Sequence, residues 1–185
     1  MTRPARAVID VAALQHNLGR VRAAAPHSRV LAMVKANGYG HGLARVARVL
    51  AGTDGFGVAC VEEALALREA GIQKRILLLG GVFDASELAL VDRHRLDVVV
   101  HDEIQVEWLE RARLIRPLSA WLKVDTGMHR LGVHPDSVPR LWRRLLACAN
   151  VARPIRILSH LACADARQDL QTDRQLACLF ACTEG

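Results

Sequence analysis

Short apolar stretches and amphipathic stretches alternate along this chain, and that alternation constrains the fold more than any single residue does. Asp10 can cap a helix over 11–24, with Leu14, Leu18 and Val21 on one face. Strand-like runs follow at 29–34, 56–59, 76–79, 97–100, 118–124 and 155–159. Helical patterns occupy 43–50, 61–70, 86–93, 103–112, 137–147 and 168–182. The result is a series of six βα units. Strands this short and apolar suit a parallel sheet buried on both faces, and alternating β and α defines the α/β class. A (β/α)8 TIM barrel has eight such units and about 250 residues, whereas this chain has 185 residues. Two readings remain open at this point: a complete open sheet, or a barrel without its last two strands. No repeat, low-complexity segment or linker divides the chain.

Composition excludes several function classes. A hydrophobic content of 51% and a charged content of 24% are those of an ordinary globular protein. Aromatics make up only 4%, too few for a base-stacking surface. The net charge of +6 invites a nucleic-acid reading, but the arginines are dispersed, with no run of five like charges. Groups such as Arg111, Arg113 and Arg116, or Arg140, Arg143 and Arg144, read as solvated helix faces. No nucleic-acid partner is expected. Asp10 interrupts the apolar stretch behind the N-terminal residues, so no signal peptide is expected. No apolar run is long enough to span a membrane, and a cytoplasmic protein is expected. The five cysteines are odd in number and lack zinc-type spacing. They read as reduced thiols with no metal role, and Cys178 and Cys182, one helical turn apart, read as core or half-buried.

Only three lysines, Lys35, Lys74 and Lys123, stand among 25 Lys and Arg residues. Two of them sit in strand-end motifs. Lys35 lies in Val-Lys-Ala-Asn-Gly-Tyr-Gly-His-Gly (34–42), directly after the first strand-like run. Gly38, Gly40 and Gly42 recur at alternate positions, and glycine tolerates positive φ and close backbone approach. A lysine over such a loop is well placed to form a Schiff base with a phosphorylated aldehyde. From spacing alone, a solvated lysine beside a flexible turn fits as well, because a lone glycine-rich loop is a weak signal.

Further blocks make the pattern specific. They are Trp-Leu-Lys-Val-Asp-Thr-Gly-Met-His-Arg-Leu-Gly (121–132), Ile-Leu-Ser-His-Leu-Ala-Cys-Ala-Asp (157–165) and Phe-Gly-Val-Ala-Cys-Val-Glu-Glu-Ala (56–64). Together with 34–42, in this order and over nearly the whole chain, they resemble the bacterial alanine racemases. The resemblance implies an isomerase that interconverts L-alanine and D-alanine for peptidoglycan with pyridoxal 5'-phosphate (PLP) as cofactor. It implies a PLP-binding TIM barrel followed by a mostly β C-terminal domain, and a homodimer in the full-length protein. Residues 1–185 then correspond to the N-terminal part of the barrel domain, with about six βα units, without the last barrel strands or the C-terminal domain. A single-domain PLP carrier without racemase activity is the alternative, and the block around Arg130 argues against it.

The resemblance also assigns roles. Lys35 carries PLP and, once freed, acts as base on one face of the substrate. Tyr39 contacts the cofactor phosphate. Arg130 orients the substrate carboxylate, for which a planar guanidinium is suited. Lys123 matches a lysine that is often carbamylated, and unmodified it would repel Arg130. His160 stands beside the cofactor ring. The family's second base, a tyrosine of a partner subunit, has no counterpart in this sequence, so the chain alone is expected to be inactive.

Overall fold

The computed structural model describes residues 4, 6–166 and 168–183. Residues 1–3, 5, 167, 184 and 185 lie outside the described residues, and the N-terminal leader question and the final residues of the chain fall partly on them. The first helix, α1 (Val11–Ala24), is capped by Asp10, whose Oδ1 accepts the Ala13 N–H at 3.0 Å. No residue of α1 is fully buried, and Val21 is 50% exposed. Of its expected apolar face, Leu14 packs on the core.

Six strands follow: β1 (Leu31–Met33), β2 (Gly55–Val58), β3 (Arg75–Leu78), β4 (Asp97–Val100), β5 (Ala120–Lys123) and β6 (Arg156–Leu158). They alternate with α2 (Leu43–Val49), α3 (Val61–Glu69), α4 (Leu88–Arg93), α5 (Glu103–Arg111), α6 (Val138–Ala147) and α7 (Gln171–Ala181). Every strand pairs parallel with its sequence neighbour, giving the order β1-β2-β3-β4-β5-β6. Because parallel crossovers are right-handed, an order that never reverses places all the helices on one face. A doubly wound open sheet reverses its order at a switch point. The open-sheet reading therefore fails, and the sheet is the parallel wall of a barrel.

Register separates the two faces. Phe56, Val58, Ile76, Leu78, Val98, Val100, Ala120 and Leu122 are essentially fully buried and belong to one hydrophobic cluster with the helices. The alternate residues line the concave face. There Gly57 leaves room for Met33, since a Cβ on it would lie 2.4 Å from the Met33 sulfur. Toward the N-terminal ends of the strands this face carries a polar network. Asp97 Oδ2 pairs with Arg75 at 3.0 Å and accepts from Trp121 Nε1 at 2.9 Å and Ser119 Oγ at 3.1 Å. The Arg156 guanidinium lies 5.2 Å from the centre of a Trp121 ring and donates to Ser119 Oγ at 2.9 Å. This cross-strand network belongs to the face of a barrel that serves stability.

Several expected boundaries shorten. The first strand does not begin at 29, because the Val30 N–H goes to the Asp54 carboxylate at 2.8 Å. The last helix starts at Gln171, where Asp169 Oδ1 accepts the Gln171 N–H at 2.8 Å. Arg140 and Arg144 are not simply solvated. Arg140 bonds Glu103, and Arg144 reaches Glu103 at 2.6 Å and Glu110 at 2.7 Å. Consecutive βα units set α5 beside α6, which brings these acids within reach. Such exposed pairs contribute about 0–1 kcal/mol each. The cysteines are free thiols, with Cys178 and Cys182 half-buried. Among the described residues no helix is long and apolar enough to cross a membrane.

Candidate active site at the C-terminal ends of the strands

The chain leaves β1 into an unusual turn. Val34 is fully buried and donates its N–H to Gly57 O at 2.9 Å. After Lys35, which is half-buried, Ala36 (φ 52°, ψ 51°), Asn37 (φ 56°, ψ 43°) and Gly38 (φ 64°, ψ 40°) wind left-handed, and Tyr39 has φ 53°. Left-handed backbone costs an L-residue roughly 1–2 kcal/mol per position, so surrounding contacts must hold the turn. Gly40 N–H bonds Ala36 O at 3.0 Å and Gly42 N–H bonds Asn37 O at 2.8 Å. The Asn37 side chain accepts the Leu43 N–H at 2.9 Å and so caps α2. At Gly38 (φ 64°) a Cβ would lie 3.2 Å from Val46 Cγ2, a tight contact to which the valine side chain would have to give by a few tenths of an ångström. The glycine-rich loop is thus a compact left-handed turn rather than the flexible turn that spacing alone also allowed. Tyr39 projects from it, 57% exposed.

Lys123 ends β5 on the concave face and is only 7% exposed. Beyond it the chain folds back on itself. Val133 N–H bonds Lys123 O and Asp125 N–H bonds Val133 O, both at 2.9 Å. The Asp125 carboxylate accepts from the Gly127 and His129 N–H groups at 3.0 Å and meets His129 Nδ1 at 3.2 Å. Asp125 thus shapes the loop rather than pairing with Arg130, which is exposed. Gly132, at φ 138°, leaves no room for a Cβ, which would sit 2.5 Å from Asp125 N.

His160 follows β6, exposed, with its carbonyl accepting from Gln175 Nε2 at 2.9 Å. Gln175, 1% exposed in α7, also accepts the Ala162 N–H at 2.8 Å and donates to Thr126 Oγ1 at 3.2 Å. One buried amide thereby ties α7 to the loops after β5 and β6.

Lys35, Lys123, Arg130 and His160 come from the ends of β1, β5 and β6 and lie within each other's electrostatic field. Burial first, then the charges of Arg130 and Lys35, pushes the Lys123 ammonium below the usual lysine range. Burial first, then Arg130, Lys123 and Lys35, likewise lowers the His160 pKa. The charges of Arg130 and Lys35 at this mouth favour an anionic occupant. A recess of about 880 Å³ lined by Asp165, Asp169 and Arg174 lies to one side and includes none of the four. Among the described residues, no cluster of three His, Cys, Asp or Glu is placed to hold a metal.

The Lys123 shift has a measurable sign. The unfolded chain keeps this proton to about the ordinary value of 10.5, and the folded chain releases it at lower pH. Between those values the unfolded state binds more protons, so stability rises with pH. Lys123 is expected to add a rise in the urea midpoint as pH approaches 10.5 from below, against the fall from the raised thiols of Cys60, Cys163 and Cys182, and Lys123→Met is expected to remove that added rise. An equal slope in both proteins would contradict the burial of a charged Lys123.

Fold and site together define a parallel α/β barrel chain with a lysine-centred cationic site at the C-terminal mouth. The chain belongs to the family described as alanine racemase, N-terminal domain, matched over residues 9–185. It is 50% identical over 180 residues to the alanine racemase of Shewanella putrefaciens (strain CN-32 / ATCC BAA-453), covering 97% of this chain and 50% of that protein. It superposes on the crystal structure of the biosynthetic alanine racemase from Pseudomonas aeruginosa with a TM-score of 0.89. The identity is 42%, covering 94% of this chain and 48% of that one. The histidine racemase from Leuconostoc mesenteroides subsp. sake superposes with a TM-score of 0.83 at 26% identity, covering 95% of this chain and 48% of that one. The chain spans about half the length of the curated relatives it matches.

Sequence reasoning missed Glu63 and Gln175 as organising residues. Their partners are mostly backbone groups, which leave no side-chain pattern to read.

Proposed function

We propose that residues 1–185 are the N-terminal part of the barrel domain of a PLP-dependent alanine racemase. The observation that carries this reading is the convergence of Lys35, Lys123, Arg130 and His160 on one mouth. These residues suit a phosphorylated aldehyde: a primary amine for the carbonyl and a cationic surround for the phosphate. PLP, when bound, supplies the electron sink that makes the substrate Cα acidic.

The rest of the chemistry belongs to the chain's residues. Lys35 Nζ takes or returns the Cα proton on one face of the substrate. The Arg130 guanidinium binds the substrate carboxylate in a bidentate fork. Tyr39, through its hydroxyl, and His160 would help to hold PLP. Carbamylation of Lys123 replaces a cation that is costly to bury with an anion that attracts Arg130. A partner copy of the full-length protein supplies the base for the other face. D-Alanine made in this way serves the cell wall, in the cytoplasm.

A polypeptide joining this chain to the remaining half found in its relatives tests the reading. With PLP it is expected to convert L-alanine to D-alanine in preference to racemising histidine. Arg130→Lys is expected to lower kcat while PLP stays bound. Loss of PLP with kcat unchanged would remove Arg130 from the substrate site, and turnover of histidine alone would replace the substrate.

A further inference from the structure

Glu63 is the third residue of α3, and each of its oxygens has a different task. Oε2 accepts the Ala59 N–H at 2.8 Å, four residues back, just beyond β2. Oε1 accepts the Ala36 N–H at 2.6 Å, 27 residues away, immediately after Lys35. The reach back over four residues recurs at Gln105, whose Oε1 accepts the His101 N–H at 2.8 Å, and at Glu87, whose Oε2 accepts the Phe83 N–H at 2.9 Å. The second contact explains the choice of residue. At Gln105 the other atom donates, to Val82 O at 3.0 Å, so an amide is suited. At Glu63 both contacts need acceptors, so only a carboxylate satisfies them.

We propose that Glu63 is a positioning residue that aims Lys35. The proposal rests on the reading of Lys35 as the residue that carries PLP. Ala36 is the first left-handed residue of the turn, and its N–H belongs to the peptide that leaves Lys35. A non-glycine residue relaxes from this region unless its neighbours over-determine it. The carboxylate clamps that peptide to the end of β2, so the sheet, rather than the turn, fixes where the Lys35 side chain starts.

Two substitutions in the polypeptide joining this chain to the remaining half found in its relatives test this. Glu63→Gln keeps the length but presents an N–H where an acceptor is needed. Glu63→Asp keeps the negative charge in the first turn of α3, which favours the helix, but is one methylene short of spanning both donors. Both are expected to retain the thermal midpoint and the amide protection of β3 and β4. Both are expected to speed exchange of the Ala36 amide, and to lower the PLP trapped by borohydride at Lys35, each by about tenfold. If Glu63→Gln fails to fold, Glu63→Asp decides. Trapping at Lys35 that is unchanged in the folded variants overturns the proposal while leaving the Lys35 reading intact. No trapping at Lys35 in the unsubstituted joined polypeptide overturns both.

Discussion

Lys35→Ala, in the polypeptide joining both halves, is expected to reduce alanine racemisation by at least about 10²–10⁴-fold, the contribution typical of a general acid–base group. Two functions fall on one amine, attachment of PLP and proton exchange at Cα, so no neighbour replaces it in both. Lys123 is the nearest alternative amine, but it is buried on the concave wall and points from the end of β5. Lys74 serves as the control. Its Nζ donates to Thr53 O at 2.7 Å, just before β3, toward the opposite ends of the strands. Lys74→Ala is expected to leave turnover unchanged. Borohydride reduction with PLP followed by peptide mapping is expected to place the pyridoxyl label on Lys35. A label confined to Lys74 or Lys123, or full turnover without Lys35, would refute the assignment.

The 185-residue chain assayed alone is expected to show no substantial D-alanine formation with added PLP, again a deficit of about 10²–10⁴-fold. Tyr39 is the only tyrosine in the sequence, and it rises from the Lys35 turn. A tyrosine base for the opposite face is therefore not available from these residues. The same chain is expected to self-associate on concentration, measured by light scattering. Among the described residues β1 and β6 each have a partner on one side only, and unpaired edges recruit other chains. Each edge strand is only three residues long, which limits the tendency. Turnover by a monomeric 185-residue chain at the rate of the joined polypeptide would show that the second base lies within it.

The periodicity of the chain revealed the units and most helix boundaries because core burial writes itself into residue type. Val98 and Val100 are buried among helices, and the apolar run at 97–100 reads as β4 without residue shifts. The left-handed turn was legible only through Gly38, Gly40 and Gly42. Positive φ at Ala36, Asn37 and Tyr39 comes from tertiary clamps, which local propensity does not encode. Arg130 beside Lys123 was legible as a like-charge neighbour, whereas burial, which comes first in lowering the Lys123 pKa, was not. Polar reach-backs such as Glu63 and Gln175 stayed invisible, since each meets a main-chain group that any residue provides.

The unbroken strand order also bears on how the wall is made at the ribosome. Each strand needs only the one just synthesised, and the β2–β3 and β4–β5 pairings span roughly twenty residues of chain. Closing loops of that size is entropically mild. Arg75, Asp97, Trp121 and Arg156 join neighbouring strands in that same order, so each of these polar contacts spans a single crossover.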